Sequence, residues 1–262
     1  MSILGESILD LLFDPAKKQR PRRLMVYGPD GVGKSTFAAS APDPVFVTTE
    51  DGLRGIKGAI QFPVAKDLAT FCRHVKALED PSHGRKTLVV DSLSGLSRLI
   101  DKQVAVNQSK ESVLDIGFGK APGYLNEAWQ GILDLIEDVS INAGMAVVLL
   151  GHTRNENFKP PDGDNYNRWV PKLPDECRRS VCEWCDEYFF ATFKVYTKTE
   201  GEGKSIKHKA IGSGDRIMKT TGAGAFLAKR RIEMPDELPL SWDAYQYYVD
   251  GGTDEQQAGG KF

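Results

Sequence analysis

The sequence predicts an α/β fold, a mostly parallel sheet flanked by helices and built around a phosphate-binding loop. Three observations carry this. Residues 24–27 are an apolar run readable as a buried strand, followed by Gly28-Pro29-Asp30-Gly31-Val32-Gly33-Lys34-Ser35, which fits G-x-x-x-x-G-K-[ST], and by Thr36, Phe37 and Ala38, which open a helix. Thr87-Leu88-Val89-Val90-Asp91 is a second apolar run, ending in a carboxylate. Strand-like and helix-like stretches alternate over most of the chain, and no internal repeat is visible. The glycines let the backbone curl so that its N–H groups point inward at phosphate oxygens. The helix start adds unpaired donors and a partial positive charge. Lys34 supplies a point charge for the β/γ-phosphates and Ser35 a hydroxyl for Mg²⁺. The expected nucleotide-binding set is therefore Gly28, Pro29, Asp30, Gly31, Val32, Gly33, Lys34, Ser35 and Thr36.

The chain has 262 residues, 40% hydrophobic and 27% charged, which suits one large α/β domain with small appendages. A formal charge of −2 shows no global basic field, so any nucleic-acid binding must come from local patches. The four cysteines, Cys72, Cys177, Cys182 and Cys185, do not suggest a disulfide scaffold at this length, and a reduced, cytoplasmic setting is expected. No apolar run is long enough to span a bilayer, and the first residues lack a basic stretch before an apolar one, so no membrane partner and no signal peptide are expected.

In chain order, residues 3–13 read as a short amphipathic helix ending before Pro15, and a basic segment follows (Lys17, Lys18, Arg20, Arg22, Arg23). Residues 45–47 read as a strand and 67–79 as a helix with Leu68, Phe71, Val75 and Leu78 on one face. Helices are expected over 93–106 and 124–142, separated by a polar, glycine-rich stretch. Residues 145–150 read as a strand ending at Gly151-His152. Residues 153–175 read as a long loop in which aromatic and basic side chains interleave. Residues 187–197 and 205–211 read as a hairpin turning at Gly201 and Gly203. The Cys182-x-x-Cys185 spacing raises zinc, but Val181 and Trp184 favour a helix packing its thiols into the core. The last dozen residues look disordered.

Asp91 is the expected second magnesium ligand beside Ser35, because a buried strand ending in a carboxylate delivers it to the metal shell. Residue 92 is a serine, so no carboxylate directly follows Asp91. The alternative place for a water-orienting carboxylate is the end of the strand after the loop helix, where Glu50 sits with Asp51 as its rival. His152, closing the next strand, could touch the γ-phosphate and feed the segment beyond. Glu50, Lys34 and His152 are the catalytic candidates.

The set Gly28 to Ser35, Glu50, Asp91, His152 and the late Lys229-Arg230-Arg231 followed by Pro235-Asp236-Glu237-Leu238-Pro239-Leu240 resembles phage ATP-binding proteins with a core-only RecA-like AAA domain, a family that includes single-strand-annealing recombinases. The resemblance runs over most of residues 22–243. It implies a RecA-like P-loop core at 23–243 with a C-terminal β-hairpin extension, between an N-terminal arm (1–22) and a flexible tail (244–262). It implies ATP and Mg²⁺ as cofactors, and ATP-dependent binding and annealing of single-stranded DNA. It also implies a homo-oligomeric ring or filament, a single-strand-binding protein as partner, and the host cytoplasm as setting. Within it, Lys229 and Arg231 match a Lys-x-Arg that would reach a neighbour's γ-phosphate, with Lys207 and Lys209 behind them. Phe158, Lys159, Arg168, Trp169 and Lys172, with Lys120 of the glycine-rich stretch near Phe118 and Tyr124, are the DNA-binding candidates, since aromatic stacking and backbone neutralisation suit a single strand. A lid over the nucleotide is the alternative role for both segments. Phe13-Asp-Pro-Ala16 resembles a Phe-x-x-Ala docking segment, making Phe13 and Ala16 oligomerisation candidates. Two other readings stay open: a P-loop kinase with Arg178-Arg179 on a lid, and an ATP-gated DNA-binding accessory that does not turn over.

Overall fold

The computed structural model describes residues 20–117, 119–200 and 207–253; the side chains of 196–211 and 213 are not described. The helix expected over 3–13, Phe13, Ala16, Phe118, the Gly201–Gly203 turn, the side chains of Lys207 and Lys209, and the tail beyond Thr253 lie outside this set.

The expected α/β architecture with a mostly parallel sheet is present. Strand β1 (Arg23–Gly28) leads into helix α1 (Lys34–Ala39). Then come β2 (Pro44–Thr48), α2 (Leu68–Lys76), β3 (Thr87–Asp91), α3 (Leu93–Asn107), α4 (Ala121–Ala143) and β4 (Ala146–Phe158). They are followed by β5 (Tyr166–Pro171), α5 (Asp175–Trp184), β6 (Glu187–Glu200), β7 (Lys207–Lys219), β8 (Glu237–Pro239) and α6 (Trp242–Val249). The sheet order is β2-β3-β4-β1-β6-β7-β8, with β5 paired to β4. Strands β2, β3, β4, β1 and β6 are parallel; β7 and β8 continue antiparallel. The hairpin of β6 and β7 is thus continuous with the central sheet, because β6 pairs with β1.

Period-2 alternation sorts the strand side chains onto two faces. Met25, Val45, Val47, Leu88, Val90, Val147 and Leu149 pack against α2–α5, with Trp129 fully buried among them. Leu24, Val26, Phe46, Val89, Val148, Leu150 and Phe189 face the other way, toward α1 and α6. Both faces are covered, as parallel sheets require. Ser92 and Asp67 cap the N-termini of α3 and α2 with side-chain oxygens.

Three expectations are corrected. The strand expected to stop at His152 runs on to Phe158, and the expected loop over 153–175 is largely a β-hairpin, since β5 pairs antiparallel with β4 from Thr153↔Pro171 to Phe158↔Tyr166. Beside the ladder itself, its pairing is held by charge and by the cross-strand rings of Phe158 and Tyr166, 5.5 Å apart. Arg168 and Arg178 both donate to Glu156 at 2.8 and 2.7 Å, and the Arg168 guanidinium stacks 3.7 Å from the Phe158 ring. Finally, the boundary expected at residue 243 falls inside α6. Its aromatic face (Trp242, Tyr245, Tyr248) is buried in the core, and the Tyr245 hydroxyl donates to the fully buried Glu187 at 2.5 Å.

Two outcomes follow. Tyr245→Ala removes a buried ring and leaves Glu187 short of a donor, so stability should fall by about 3–5 kcal/mol in denaturant unfolding. Glu156→Gln should cost about 2 kcal/mol near neutral pH, because it takes from the buried Arg178 the nearer of its two carboxylates and leaves only Asp175, at 3.4 Å. Burial works to raise the Glu156 carboxyl, but hydrogen bonds from Arg178 and Arg168 override it and hold the group below its ordinary value. A depressed carboxylate stabilises the fold above its unfolded-state range, and that contribution is lost as pH falls through the depressed folded value. The stability gap between wild type and Glu156→Gln should therefore close on acidification.

Candidate nucleotide site and adjoining interface

The site forms where β1, β2 and β3 end and where β4 leaves the parallel sheet, because parallel strands bring these positions to one edge. In register, Gly28 pairs with His152, Asp91 with Leu150 and Thr48 with Asp91. The phosphate loop, Asp91, His152 and the start of the Glu50 segment therefore meet by strand order alone.

The loop backbone is built for close approach. Gly31 and Gly33 have φ of 73° and 106°, which side-chain-bearing residues rarely adopt. A Cβ on Gly28 would lie 2.2 Å from the Ala191 carbonyl oxygen, so β6 admits only glycine there. Lys34 is buried and donates to the carbonyls of Gly28 and Pro29 at 3.0 and 2.9 Å. Burial lowers its pKa, against the pull of Asp30 and Asp91. The Ser35 hydroxyl donates to Asp91 at 2.7 Å. Burial raises the Asp91 carboxyl, opposed by that hydrogen bond and by Lys34. A hydroxyl and a carboxylate side by side are hard oxygen donors of the kind Mg²⁺ takes. The residues present thus fit a magnesium nucleotide: the glycine loop and Lys34 for phosphates, Ser35 and Asp91 for the cation. Val32 differs from expectation in one respect, because its side chain is fully buried in the core and only its backbone belongs to the loop.

A cavity of about 420 Å³ is lined by loop residues together with Glu50, Asp91, His152 and Arg216. Between the two acidic rivals, Glu50 lines this cavity, while the exposed Asp51 pairs with Arg54 at 2.9 Å. Glu50 is strung between neighbours. Its Oε1 accepts from Arg98 at 2.7 Å and from the Ser92 hydroxyl at 3.1 Å; its Oε2 lies 3.8 Å from His152 Nε2. His152 Nδ1 lies 2.5 Å from Asp30. Burial raises Glu50, but Arg98 and Ser92 prevail and its pKa is lowered, so it is a carboxylate near neutral pH. The first turn of α3 sits hard against this segment: a Cβ on Gly95 would be 2.0 Å from Thr49 Oγ1.

Two residues of the site escaped sequence reasoning. Arg98, on α3, is the partner of Glu50. Arg216, on β7, has its guanidinium 3.1 Å from where a Gly33 Cβ would lie, so a cation of the same chain stands over the phosphate loop. Neither belongs to a spaced motif. Each is one basic residue among many, brought in by tertiary structure.

The remaining candidates separate. On the hairpin, Phe158 and Arg168 share one face with Glu156, while Trp169 stands on the other, opposite Asn155. Arg168, expected to contact DNA, is only 17% exposed and has its charge met by Glu156. Trp169 is 42% exposed and Lys172, Lys159 and Lys120 are exposed. Lys120 sits at the N-terminal end of α4. Lys229, expected to reach a neighbour, instead donates to the carbonyls of Cys182 and Cys185 and so caps the end of α5, where a cation suits the helix dipole. Arg231 lies 3.4 Å from Asp186 and is 60% exposed. Arg178 of the Arg178-Arg179 pair is buried against Glu156. Cys177 and Cys185 are buried, and burial pushes the Cys177 and Cys182 thiols up to about 11, which keeps them protonated and poorly nucleophilic. Among the described residues no helix is long and apolar enough to cross a membrane.

Residues 20–232 match a family model described as an AAA domain (AAA_24). A curated relative, the SPbeta prophage-derived uncharacterized protein YorG of Bacillus subtilis (strain 168), is 25% identical over 147 residues, covering 54% of this chain. The match spans only 44% of that relative's length. Among solved structures, one titled as the RadB recombinase overlays with a TM-score of 0.45 at 14% identity, over 84% of this chain and 86% of that one. With the family model spanning most of the sequence and the loop, Ser35 and Asp91 assembled as nucleotide chemistry requires, the chain belongs to the AAA_24 family of AAA domains, P-loop proteins of the ATPase class.

Proposed function

We propose that this protein is an ATP-dependent single-stranded-DNA-binding recombinase of the phage type, promoting annealing or pairing of complementary strands. The supporting observation is the length of β4. One continuous strand carries His152 beside the phosphate loop and then becomes half of the hairpin that displays Trp169. A change at the γ-phosphate side is thereby linked to the candidate DNA face through a single stretch of backbone.

In this reading ATP lies in the glycine loop, with Lys34 on its β/γ-phosphates and Ser35 and Asp91 holding Mg²⁺. Bound Mg²⁺ supplies charge neutralisation at the phosphates. Glu50 orients the attacking water as a general base or positioner. His152, with Asp30 on one nitrogen and Glu50 facing the other, responds to the terminal phosphate. Trp169 provides a stacking ring, and Lys172, Lys159 and Lys120 neutralise backbone phosphates. Subunits assemble as a ring or filament, with Arg231 reaching a neighbour's nucleotide and Phe13 and Ala16 docking on the adjacent copy. A single-strand-binding protein supplies the coated strand, and the setting is the host cytoplasm. The SPbeta prophage origin of YorG supports the phage assignment.

Lys34→Ala should keep the fold and weaken ATP binding about 100-fold in titrations with a fluorescent analogue. If that variant anneals complementary oligonucleotides as fast as wild type, the nucleotide has no part in annealing. Of the four tryptophans only Trp169 is exposed; Trp184 is half-buried and Trp129 and Trp242 are buried. Oligo(dT) should therefore quench intrinsic fluorescence, and Trp169→Ala should abolish most of the quench and cost about 1–3 kcal/mol of affinity. An unquenched wild type that shows no retardation on labelled oligonucleotide would remove DNA from the assignment.

A further inference from the structure

Glu50, His152 and Asp30 line two cavities, not one. Beyond the nucleotide cavity lies a second, of about 430 Å³, walled by Pro29, Ser94, Arg98, Thr153, Trp169 and Lys172 as well. Glu50 is the partition. On the nucleotide side it faces the phosphate loop; on the other it is held by Arg98 at 2.7 Å. The second cavity has the chemistry of a nucleic-acid backbone site. Arg98 and Lys172 are exposed cations, and Trp169 offers an exposed ring. The two cavity carboxylates are already engaged, Asp30 by His152 and Glu50 by Arg98. Lys172 is fixed in place, because its N–H donates to the His152 carbonyl at 2.9 Å and its own carbonyl accepts from Ser94 at 3.4 Å.

We infer that this second cavity binds a phosphodiester of the single strand through Arg98 and Lys172, with Trp169 stacking on a neighbouring base, and that the bound phosphate takes Arg98 away from Glu50. The inference rests on the DNA reading above and deepens it, by naming Arg98 as the residue through which the strand controls turnover. The physical basis is competition for one guanidinium. Arg98 has five N–H donors but one delocalised charge, and it meets Glu50 through a single nitrogen. Its side chain is 60% exposed, and exposed pairs of this kind are weak. A phosphate oxygen presented beside Lys172 brings a stronger, bidentate-capable partner. Without Arg98, Glu50 keeps the Ser92 hydroxyl at 3.1 Å and turns its charge toward His152 and the attacking water. Arg98 is thus a positioning residue: it acts through Glu50 and touches the strand, not the reacting phosphate. The covalent chemistry of hydrolysis is unchanged; only the availability of Glu50 differs.

The test is steady-state ATP hydrolysis with and without oligo(dT), in wild type and Arg98→Ala, alongside oligonucleotide binding across a salt series. Wild type should be slow alone and stimulated by the strand. Arg98→Ala should hydrolyse several-fold faster than wild type without DNA, with its stimulation ratio falling toward unity. Its log affinity should depend less steeply on log salt, the slope dropping by about one. Adding Glu50→Gln should abolish the DNA-free gain, showing that it passes through Glu50; Arg98→Lys should restore part of the strand dependence. A wild-type stimulation ratio retained by Arg98→Ala overturns the inference while leaving DNA binding standing. A dead Arg98→Ala with wild-type thermal stability also overturns it, since Arg98 would then be needed for turnover itself. If wild type neither binds nor responds to the strand, the DNA reading itself fails, and the inference with it.

Discussion

Hydrogen-bond register between three parallel strands is the constraint on which the rest depends. β4 lies between β1 and β3, pairing Gly28 with His152 and Asp91 with Leu150. Because side chains alternate with a period of two, a one-residue slip would carry every core residue to the opposite face, against helices it is not shaped to meet. The buried runs 24–27, 88–90 and 147–150 forbid this. The same burial that secures the core therefore places the phosphate loop, Asp91 and His152 at one edge, with no separate device to hold them.

What lies past that edge obeys a different rule. Beyond His152 the chain is Thr-Arg-Asn-Glu-Asn-Phe, polar on both faces, yet it stays extended. Glu156 accepts from two arginines across and beneath the ribbon. From β1, the Tyr27 hydroxyl donates to the Leu227 carbonyl at 2.6 Å and accepts from the Leu227 N–H at 3.0 Å, with the Trp169 carbonyl 3.2 Å away. Burial raises the Tyr27 pKa far above its ordinary value, so the hydroxyl remains a donor. The residue one step before the phosphate loop is thereby tied to the segment that packs along the hairpin, a second link between the two besides β4 itself.

This division explains what could be read in advance. The central strands and α1–α4 were legible because short apolar runs and helical stripes report burial directly. The phosphate loop was legible because its chemistry needs particular residues at particular spacing. The hairpin was not, because no apolar period runs through 153–158; its order comes from Arg–Glu pairing between residues such as Arg178 and Glu156 that are distant in sequence. Helix α6 was placed partly in a tail because its eight residues are too few to show a stripe clearly, although Tyr245 and Tyr248 are core. The cap made by Lys229 was hidden for a related reason: a basic residue in a late segment looks the same whether it caps its own helix or faces a neighbour.

The fate of the cations sharpens the functional reading. Many basic residues surround the hairpin, and a count of them would suggest a broad nucleic-acid surface. Yet Arg168 and Arg178 are neutralised by Glu156, and Lys229 by helix carbonyls, so these charges are engaged in holding the fold. Those that line the nucleotide edge are Lys34 and Arg216 at the phosphate loop and Arg98 and Lys172 in the second cavity. Glu50 stands between the two groups, at 2.7 Å from Arg98 and lining both cavities. A carboxylate in that position cannot be indifferent to either side. An anion arriving in one cavity changes the charge available in the other, and the short distance makes the exchange a matter of one side chain turning, with no need for the sheet to move.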